Sequence, residues 1–569
     1  MFFGSVIIWF MILFVSSGSK VQNVILLLAD DLGFADISVS PYSDKAMWIT
    51  KTPSIEKLAR EGVSLLGYRN AASLCSPSRM AILTGIYPYR FESIGILHAG
   101  SGTLPRVPTI ATSLRDAGFH NHMVGKWHIG GATNQDLWHS RFQTDCLKPG
   151  PIEHGFHTAL IRPENKKNLE KICCSCCKYD DDYNPETEKC QQIRCGTMYS
   201  TQAKWFVRLS STNTSEAPST TWVTQSHTDE CIRFLQEQRR NDRFFLNVWF
   251  NAPHAPVEAH IPYISDAIQA KPLTQDPKSV QFSAEYISVI QAMDAGIGQI
   301  LHLLETRRLH TNTLVIFTSD NGPEEGLGIA RPFRGRKRSL FEGGTAVPMI
   351  FRLPGVVGPA GSKPDFFMSS VDIFPTILAA CGIDFPQPHA NDPWPSQFDQ
   401  VGRNYRDLRL FDAVNHWSSL IMQKESSEIQ TRLEHIRNQR VTFWANELGH
   451  FAARRRELKL WVHPKKKRLL LFNLTADPGE RTDLSSNTAL AQDLAFLRSS
   501  LNDFKNVAPR RSFRTDNPLN SSCGHIHTSH LESFVSYTKR RMSNVGSGTS
   551  SSHTRLRSPR IRRSGSPVM

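Results

Sequence analysis

The segment Val24-Ile25-Leu26-Leu27-Leu28-Ala29-Asp30-Asp31 is a run of six apolar residues that ends in two adjacent carboxylates. A short apolar run that stops abruptly at polar residues is typical of a strand buried on both faces, as in a parallel sheet covered by helices. Ligands of such sheets bind beyond the carboxyl ends of the strands. The segment therefore predicts an α/β fold and places Asp30 and Asp31 at its binding site.

Two further apolar runs have the same form. Phe244 to Phe250 and Thr313 to Phe317 each lead into polar residues. Helical patterns lie between the runs, because apolar residues recur on one face at the spacing of a helical turn. The three clearest are Pro53 to Gly62, Pro108 to Ala117 and Ala284 to Leu304. Strands that alternate with helices predict a sandwich with a large, mostly parallel central sheet.

The second half of the chain changes character. After a helical pattern over Ser370 to Leu378 and an irregular stretch, strand patterns appear at Val441 to Asn446, Leu458 to Val462 and Leu469 to Leu474. A helical pattern over Leu490 to Leu501 closes the region. These elements predict a smaller α+β domain with an antiparallel sheet. The basic run 465–468 lies between two of the strands, so we expect a solvated hairpin tip.

The length and the charge of the chain limit how its domains can be organised. The chain has 569 residues, more than one hydrophobic core commonly supports. The net charge of the chain is +14. Residues 509–569 contain eleven Lys/Arg and two Asp/Glu, so this tail contributes +9 of that charge. Because the basic residues lie mainly in the tail and not on the globular part, we expect no nucleic-acid partner. We expect a signal peptide over 1–19, a catalytic domain over 20–400, a C-terminal domain over 401–508 and a disordered tail over 509–569.

Several features indicate the secretory pathway. The apolar run 2–15 has the length of a signal peptide and is too short for a membrane span, so we expect no transmembrane anchor. Sequons predict glycosylation at Asn213, Asn473 and Asn520. Ten of the eleven cysteines form an even set suited to disulfides, and most lie in a cysteine-rich insertion over about 146–195. A zinc site is the alternative there, but the spacing lacks clean C-x2-C pairs, which favours disulfides.

The segment Cys75-Ser76-Pro77-Ser78-Arg79 is followed by Leu83-Thr84-Gly85. Taken alone, it could be a buried or disulfide-bonded cysteine beside a turn that contains proline. The pattern C-x-P-x-R with a trailing T-G nevertheless resembles the signature of the sulfatase family, in which the cysteine is oxidised to formylglycine. The resemblance implies a maturation enzyme that generates formylglycine from Cys75.

Other motifs resemble the same family in the same order, from about Val21 to Leu484. Together they identify a member of the alkaline-phosphatase superfamily and imply its sandwich fold with a smaller C-terminal α+β domain. The order is most similar to the branch of arylsulfatase A and N-acetylgalactosamine-6-sulfatase. The motifs are Asp30-Asp31, Gly125-Lys126-Trp127-His128-Ile129-Gly130, Ala252-Pro253-His254-Ala255-Pro256, Thr318-Ser319-Asp320-Asn321-Gly322, Lys337 before Glu342-Gly343-Gly344, and Leu471 to Glu480.

The resemblance also implies a metal centre. Its ligands would be Asp30, Asp31, Asp320, the side-chain oxygen of Asn321 and the formylglycine derived from Cys75. An all-oxygen set of this kind suits Ca²⁺, or Mg²⁺, and is poor for zinc.

The same resemblance assigns roles at the substrate. Lys126 and Lys337 would bind the nonbridging oxygens of a sulfate group, and His254 would protonate the leaving alcohol. His128 would orient the hydrated aldehyde or deprotonate its second hydroxyl. Arg79 would hold the aldehyde hydrate and neutralise the carboxylates.

We therefore expect a sulfatase that hydrolyses sulfate monoesters, both aryl sulfates and sulfated glycans, in the lysosome or outside the cell. A homo-oligomer is compatible with this prediction. One alternative is a phosphate or phosphonate monoester hydrolase of the same superfamily. The other is a catalytically silent binder of sulfated glycans, although the retained metal and sulfate positions argue against it.

Overall fold

The structure is a computed structural model. It describes residues 21–40, 50–91, 93–96, 104, 107–130, 150–161, 206–210, 214–217, 222–239, 241–255, 257, 262–263, 284–358, 361–386, 413–421, 431, 434–435 and 438–507. The predicted signal peptide, the seven cysteines of the insertion, Asn213, Asn520 and the basic tail lie outside these residues. The division at residue 400 stays a prediction.

Ten strands of the described part of the chain form the large sheet. Their order across the sheet is β10-β2-β9-β8-β1-β7-β3-β4-β5-β6. The five strands from β8 to β4 are all parallel, β10 and β2 are also parallel, and the remaining pairings are antiparallel. The strands are β1 (Asn23–Ala29), β2 (Val63–Arg69), β3 (His120–Gly125), β4 (Thr158–Ile161), β5 (Phe206–Ser210), β6 (Thr214–Ala217), β7 (Phe244–Trp249), β8 (Thr313–Ser319), β9 (Met349–Arg352) and β10 (Gly361–Ser369).

Helices cover both faces of this sheet. The described helices that accompany it are α1 (Pro53–Arg60), α2 (Cys75–Thr84), α3 (Ile110–Asp116), α4 (Val223–Glu237), α5 (Ala284–Thr306), α6 (Glu342–Thr345), α7 (Ile373–Ala380) and α8 (Trp417–Leu420). Short 3-10 helices span Pro88–Phe91 and Ser370–Asp372. The predicted helices thus occur with bounds shifted by a few residues.

Strand β1 shows why the sheet needs two helical layers. Every residue of β1 is buried. Val24, Leu26 and Leu28 pack in one core with side chains of α2, α3 and α7, while Ile25 and Leu27 pack in the other with α1, α4 and α5. Alternate side chains of a strand point to opposite faces, so an uninterrupted apolar run requires apolar partners on both sides.

Four later strands among the described residues form a second, antiparallel sheet. It contains β11 (Thr442–Ala445), β12 (Phe451–Arg455), β13 (Leu458–His463) and β14 (Arg468–Asn473) in sequence order, and helix α9 (Ala491–Val507) packs on it. A 3-10 turn over Pro464–Lys466 joins β13 to β14, so the basic run is a hairpin tip as predicted. Side chains of α9 share a core with Ala81 of α2 and Tyr87.

A buried cluster of charges also joins the two sheets. Glu342 of α6 contacts the guanidinium of Arg69, at the end of β2, and its Oε1 accepts from Lys459 Nζ of β13 at 2.8 Å. Lys459 Nζ also lies 3.0 Å from Glu480 Oε1, and Glu480 Oε2 accepts from the backbone N–H of Glu342. These groups are almost fully buried, so each charge depends on its partners. The motif that ends at Glu480 therefore attaches the C-terminal sheet to the loop that carries Lys337.

This cluster predicts a pH-dependent stability. Burial and the nearby charge of Glu342 raise the pKa of Glu480 from an ordinary 4.5 to about 7. The folded protein then holds an extra proton between these pH values, so stability falls as pH rises through this window. Glu480→Gln should reduce that fall by about 1–3 kcal/mol. Urea unfolding of both proteins across the window measures the difference, and parallel profiles would contradict it.

Among the described residues, α5 is long and apolar enough, by length and composition alone, to cross a membrane. Of its most apolar window, 67% is buried within the protein. Tyr286, Ile290, Met293 and Ile297 pack against β1, β7 and β8 in the same core. The helix therefore has the environment of a core helix that covers one face of the sheet.

The cysteine prediction needs a correction. Cys231 and Cys381 are buried free thiols, so the expectation that all ten cysteines beside Cys75 pair is wrong for these two. Both lie in the apolar layers beside the sheet, where a thiol packs as a small apolar group. The other eight cysteines lie outside the described residues. Asn473 ends β14, where its Oδ1 accepts from the N–H groups of Thr475 and Ala476, and its glycosylation stays a prediction.

Candidate active site and metal centre

The register of four adjacent parallel strands brings the predicted site segments together. Leu28 of β1 and Gly125 of β3 both pair with Trp249 of β7, and Ala29 pairs with Ser319 of β8. Each strand therefore ends at the same edge of the sheet. The segments that follow carry Asp30-Asp31, Lys126 to His128, His254 and Asp320-Asn321.

Cys75 occupies the first turn of helix α2. Leu74 caps the helix in an extended conformation, and Pro77 lies in the first turn, where a missing N–H leaves no hydrogen bond unmade. The helix ends at Gly85 with φ of +67°, a left-handed cap that suits glycine and accounts for the trailing T-G. Cys75 Sγ lies 3.5 Å from Asp30 Oδ1 and 3.7 Å from Asp31 Oδ1. The positive end of the helix thus faces the carboxylates.

Arg79 lies one helical turn after Cys75, on the same face of α2. Its Nε and Nη2 atoms donate to Asp320 Oδ2 at 3.0 and 2.6 Å, and Nη2 lies 3.2 Å from Asp30 Oδ1. Nη1 donates to the carbonyl of Lys126 at 2.9 Å. The side chain is fully buried against the ring of Trp249. Arg79 therefore joins β1, β3 and β8 through one planar group.

The pKa values of Asp30 and Asp320 are shifted in opposite directions. Burial opposes ionisation of Asp30, but the charges of Lys126, His254 and Arg79 outweigh it and hold the pKa of Asp30 well below its usual range. For Asp320, burial and then the negative charge of Asp30 raise the pKa to about 7. Crowded carboxylates of this kind repel one another, and a cation between them relieves the repulsion.

The oxygen donors fit a hard metal ion. Asp30, Asp31, Cys75 and His254 each present a ligand atom within 4.8 Å of the others. Asn321 Nδ2 donates to Asp31 Oδ1 at 2.6 Å, and the backbone N–H of Asp31 donates to Asp320 Oδ1 at 3.1 Å, so both residues adjoin this group. The buried Oδ1 of Asn321 has no hydrogen-bond partner in the described part of the chain. An orphaned amide oxygen beside carboxylates is what a Ca²⁺ or Mg²⁺ site would use.

Two lysines bind the same carboxylates. Lys126 Nζ lies 2.6 Å from Asp30 Oδ2, and Lys337 Nζ lies 2.6 Å from Asp31 Oδ2. Both side chains are buried. With Arg79, the site therefore contains three fixed cations beside three carboxylates. A divalent cation would make the total positive, which favours an anionic ligand.

The two predicted histidines differ in exposure. The ring of His254 is 30% exposed, its Nδ1–H donates to the carbonyl of Ala255, and its Nε2 faces Lys337 Nζ at 3.2 Å and Asp31 Oδ2 at 3.5 Å. His128 is buried and has a φ of +52°, a strained conformation that occurs often at functional sites. Burial, together with the charges of Lys126 and Arg79, holds the pKa of His128 well below its usual range. These effects favour the neutral form of His128.

The structure adds one side chain that the sequence analysis missed. Glu324 Oε2 lies 2.7 Å from Lys337 Nζ, and its side chain is 34% exposed. Glu324 comes three residues after Asn321, in the loop that follows β8. The sequence analysis considered only the polar residues that directly follow each strand. A search three residues further along the chain would have included Glu324.

Comparisons with known proteins give the same result as the motifs. The family model described as "Sulfatase" matches residues 22–383, more than half of the chain. Human N-acetylgalactosamine-6-sulfatase is 29% identical over 66% of this chain and 65% of its own length. N-acetylgalactosamine-6-O-sulfatase of Bacteroides thetaiotaomicron is 25% identical over 85% of this chain and 93% of its own length.

A solved structure extends the likeness to the fold. The PsFucS1 sulfatase from Pseudoalteromonas sp. has a TM-score of 0.63 at 21% identity, covering 88% of this chain and 93% of that chain. The predicted fold class, with its large sheet and smaller antiparallel sheet, is therefore confirmed. The match to the family model confirms the predicted family and its enzyme class: the chain belongs to the sulfatase family.

Proposed function

We propose that this chain hydrolyses sulfate monoesters, with aryl sulfates as test substrates and sulfated glycans as natural ones. The observation that carries the proposal is the position of Cys75, at a helix N-terminus in contact with Asp30 and Asp31 and beside three fixed cations. The named relatives act on sulfated N-acetylgalactosamine, which supports a sulfated glycan here.

Cys75 acts after its oxidation to formylglycine by a maturation enzyme. The unmodified thiol is a poor nucleophile, because burial and the charge of Asp320 raise its pKa well above the usual range. The hydrated aldehyde offers two hydroxyl groups. One attacks the sulfate sulfur, and the second allows the C–O bond to the sulfate to break and release the anion.

The surrounding side chains have separate tasks. Lys126 and Lys337 bind nonbridging sulfate oxygens. His254, the more exposed of the two histidines, protonates the leaving alcohol once its Nε2 has taken up a proton. Neutral His128 accepts the proton of the second hydroxyl, and Arg79 fixes the carboxylates and the start of α2. Asp30, Asp31, Asp320 and Asn321 would hold Ca²⁺ or Mg²⁺, which supplies positive charge for the sulfate oxygens.

The setting follows from this chemistry. In this proposal Cys75 is oxidised in the endoplasmic reticulum, so the protein would enter the secretory pathway and work in the lysosome or outside the cell. The same proposal includes three further expectations. They are glycosylation at the three sequons, the division of the chain into four parts and a homo-oligomeric state. The predicted signal peptide supports it.

The maturation step has a direct test. Protein secreted from animal cells is digested, and the peptide that contains Cys75 is weighed by mass spectrometry. The proposal expects formylglycine or its hydrate in folded, active material. A free thiol or a disulfide at Cys75 in active enzyme would show that the chemistry is different.

The choice between sulfate and phosphate esters gives a second prediction. Release of the anion requires the C–O bond of the hydrate to break, and sulfate is the better leaving group. We therefore expect aryl sulfate hydrolysis to exceed aryl phosphate hydrolysis by at least about a hundredfold in kcat/KM. Inorganic phosphate should compete for the cationic site. The two nitrophenyl esters are compared on one preparation, and a faster phosphate ester would favour the phosphohydrolase alternative.

A further inference from the structure

Lys337 already has a full set of partners. An ammonium group has three donors, and Nζ contacts Asp31 Oδ2 at 2.6 Å, Glu324 Oε2 at 2.7 Å and His254 Nε2 at 3.2 Å. The side chain is only 5% exposed, so it has little contact with water. If Lys337 binds a sulfate oxygen, as the proposed function requires, one of these contacts must give way.

Glu324 is the partner that can leave at the lowest cost. Its side chain is 34% exposed, whereas that of Asp31 is 2% exposed and is held by Asn321. A carboxylate at the surface can turn into water and keep its hydration, while a buried one cannot. Glu324 therefore competes with the incoming anion for Lys337, and it remains close by as a negative charge.

On this geometry we propose that Glu324 is a specificity-determining residue that selects singly charged anions over doubly charged ones. The inference rests on the proposed function, because it concerns the same anion site. A sulfate monoester carries one negative charge and a phosphate monoester can carry two. The repulsion between Glu324 and a doubly charged ligand is about twice that for a singly charged one. Glu324 therefore weakens the binding of phosphate esters and phosphonates more than that of sulfate esters.

The neighbouring Glu325 provides a matched control. It carries the same charge, but its side chain is 88% exposed, and its Oε1 lies 4.0 Å from Arg336 Nη1. Water and salt screen a charge in that position. Glu325→Gln therefore changes the net charge of the loop as Glu324→Gln does, without changing the partners of Lys337.

The experiment uses two probes of equal shape, phenylmethanesulfonate with one charge and phenylmethanephosphonate with two at alkaline pH. Their dissociation constants are measured by calorimetry on mature wild type, Glu324→Gln, Glu324→Asp and Glu325→Gln. A charge about 7 Å away at an effective dielectric constant of about 30 changes anion binding by about tenfold per unit charge. We expect Glu324→Gln to lower the dissociation constants of both ligands. The constant of the phosphonate should fall by about tenfold more than that of the sulfonate.

Glu324→Asp and Glu325→Gln should keep the wild-type ratio of the two constants. The inference is overturned if Glu324→Gln strengthens both ligands equally, or if Glu325→Gln changes the ratio as much. Thermal melting of each variant shows that it is folded. Because binding is measured directly, failure of the inference leaves sulfate hydrolysis by the wild type intact. If the proposed function is wrong, the mature wild type would not hydrolyse sulfate esters, whatever the ratio of the two dissociation constants.

Discussion

Cys75→Ala is expected to reduce aryl sulfate turnover by at least about four orders of magnitude, as loss of a covalent nucleophile does in other hydrolases. Alanine cannot be oxidised to an aldehyde, so neither hydroxyl of the hydrate exists. The side chain is 1% exposed in the wild type, and the substitution removes only one sulfur atom. We therefore expect the variant to melt within a few degrees of the wild type.

Cys75→Ser separates attack from release. A serine hydroxyl could accept the sulfuryl group but has no second hydroxyl with which to expel it. We expect the variant to release up to one equivalent of nitrophenol and then stop. Sustained turnover by Cys75→Ala, or steady turnover by Cys75→Ser without a burst, would contradict the role assigned to the aldehyde.

The part of the site that the sequence predicted has a local cause. Asp30 and Asp320 directly follow buried strands, and alternating helices and strands predict a parallel sheet in which the carboxyl ends of the strands share one edge. Their location at one edge of the sheet therefore follows from the sequence pattern. The structure adds that the two strands, β1 and β8, are direct neighbours. Gly85 similarly accounts for its motif through a local helix cap.

The parts that were missed depend on contacts between distant segments. Strand β12 has the sequence Phe-Ala-Ala-Arg-Arg, whose weak alternation does not indicate a strand, yet it pairs with β11 and β13 on either side. The guanidinium of Arg454 in this strand packs over the ring of Phe367 in β10, 87 residues earlier, at 4.4 Å. A charged side chain in such a contact has no signature in the local pattern.

The buried charges that join the sheets were also beyond prediction. Arg69, Glu342, Lys459 and Glu480 are spread over more than 400 residues, and each alone has the character of a surface residue. Only the fold shows that they are mutual partners. The competition between Glu324 and an anion for Lys337 also became visible only in the fold, since it depends on a contact between two side chains thirteen positions apart in the irregular segment between β8 and α6.

Asp320→Ala should weaken Ca²⁺ or Mg²⁺ binding by at least about a hundredfold and reduce activity to a similar degree. The substitution removes one of the three carboxylates of the site, the one whose Oδ1 accepts from the backbone N–H of Asp31. It also takes from Arg79 its partner at 2.6 Å, which leaves the buried guanidinium with Asp30 and a backbone carbonyl. An underpaired buried charge costs about 3–5 kcal/mol, so Asp320→Asn, which keeps an oxygen beside Arg79, serves as the milder variant.

Calcium-induced stabilisation gives a readout that does not depend on turnover. Metal that binds only the folded state raises the melting temperature, and the rise should be large in the wild type and small in both Asp320 variants. Asp294→Asn is the matched control, because this buried carboxylate accepts from the N–H groups of Ser54 and Ile55 at 3.0 and 2.8 Å. Asp294→Asn should lower stability by about 1–2 kcal/mol but keep the full calcium shift. If calcium raises the melting temperature of the wild type and of both Asp320 variants equally, the metal binds elsewhere. If the enzyme keeps full activity after thorough chelation with EDTA, the metal has no part in the reaction.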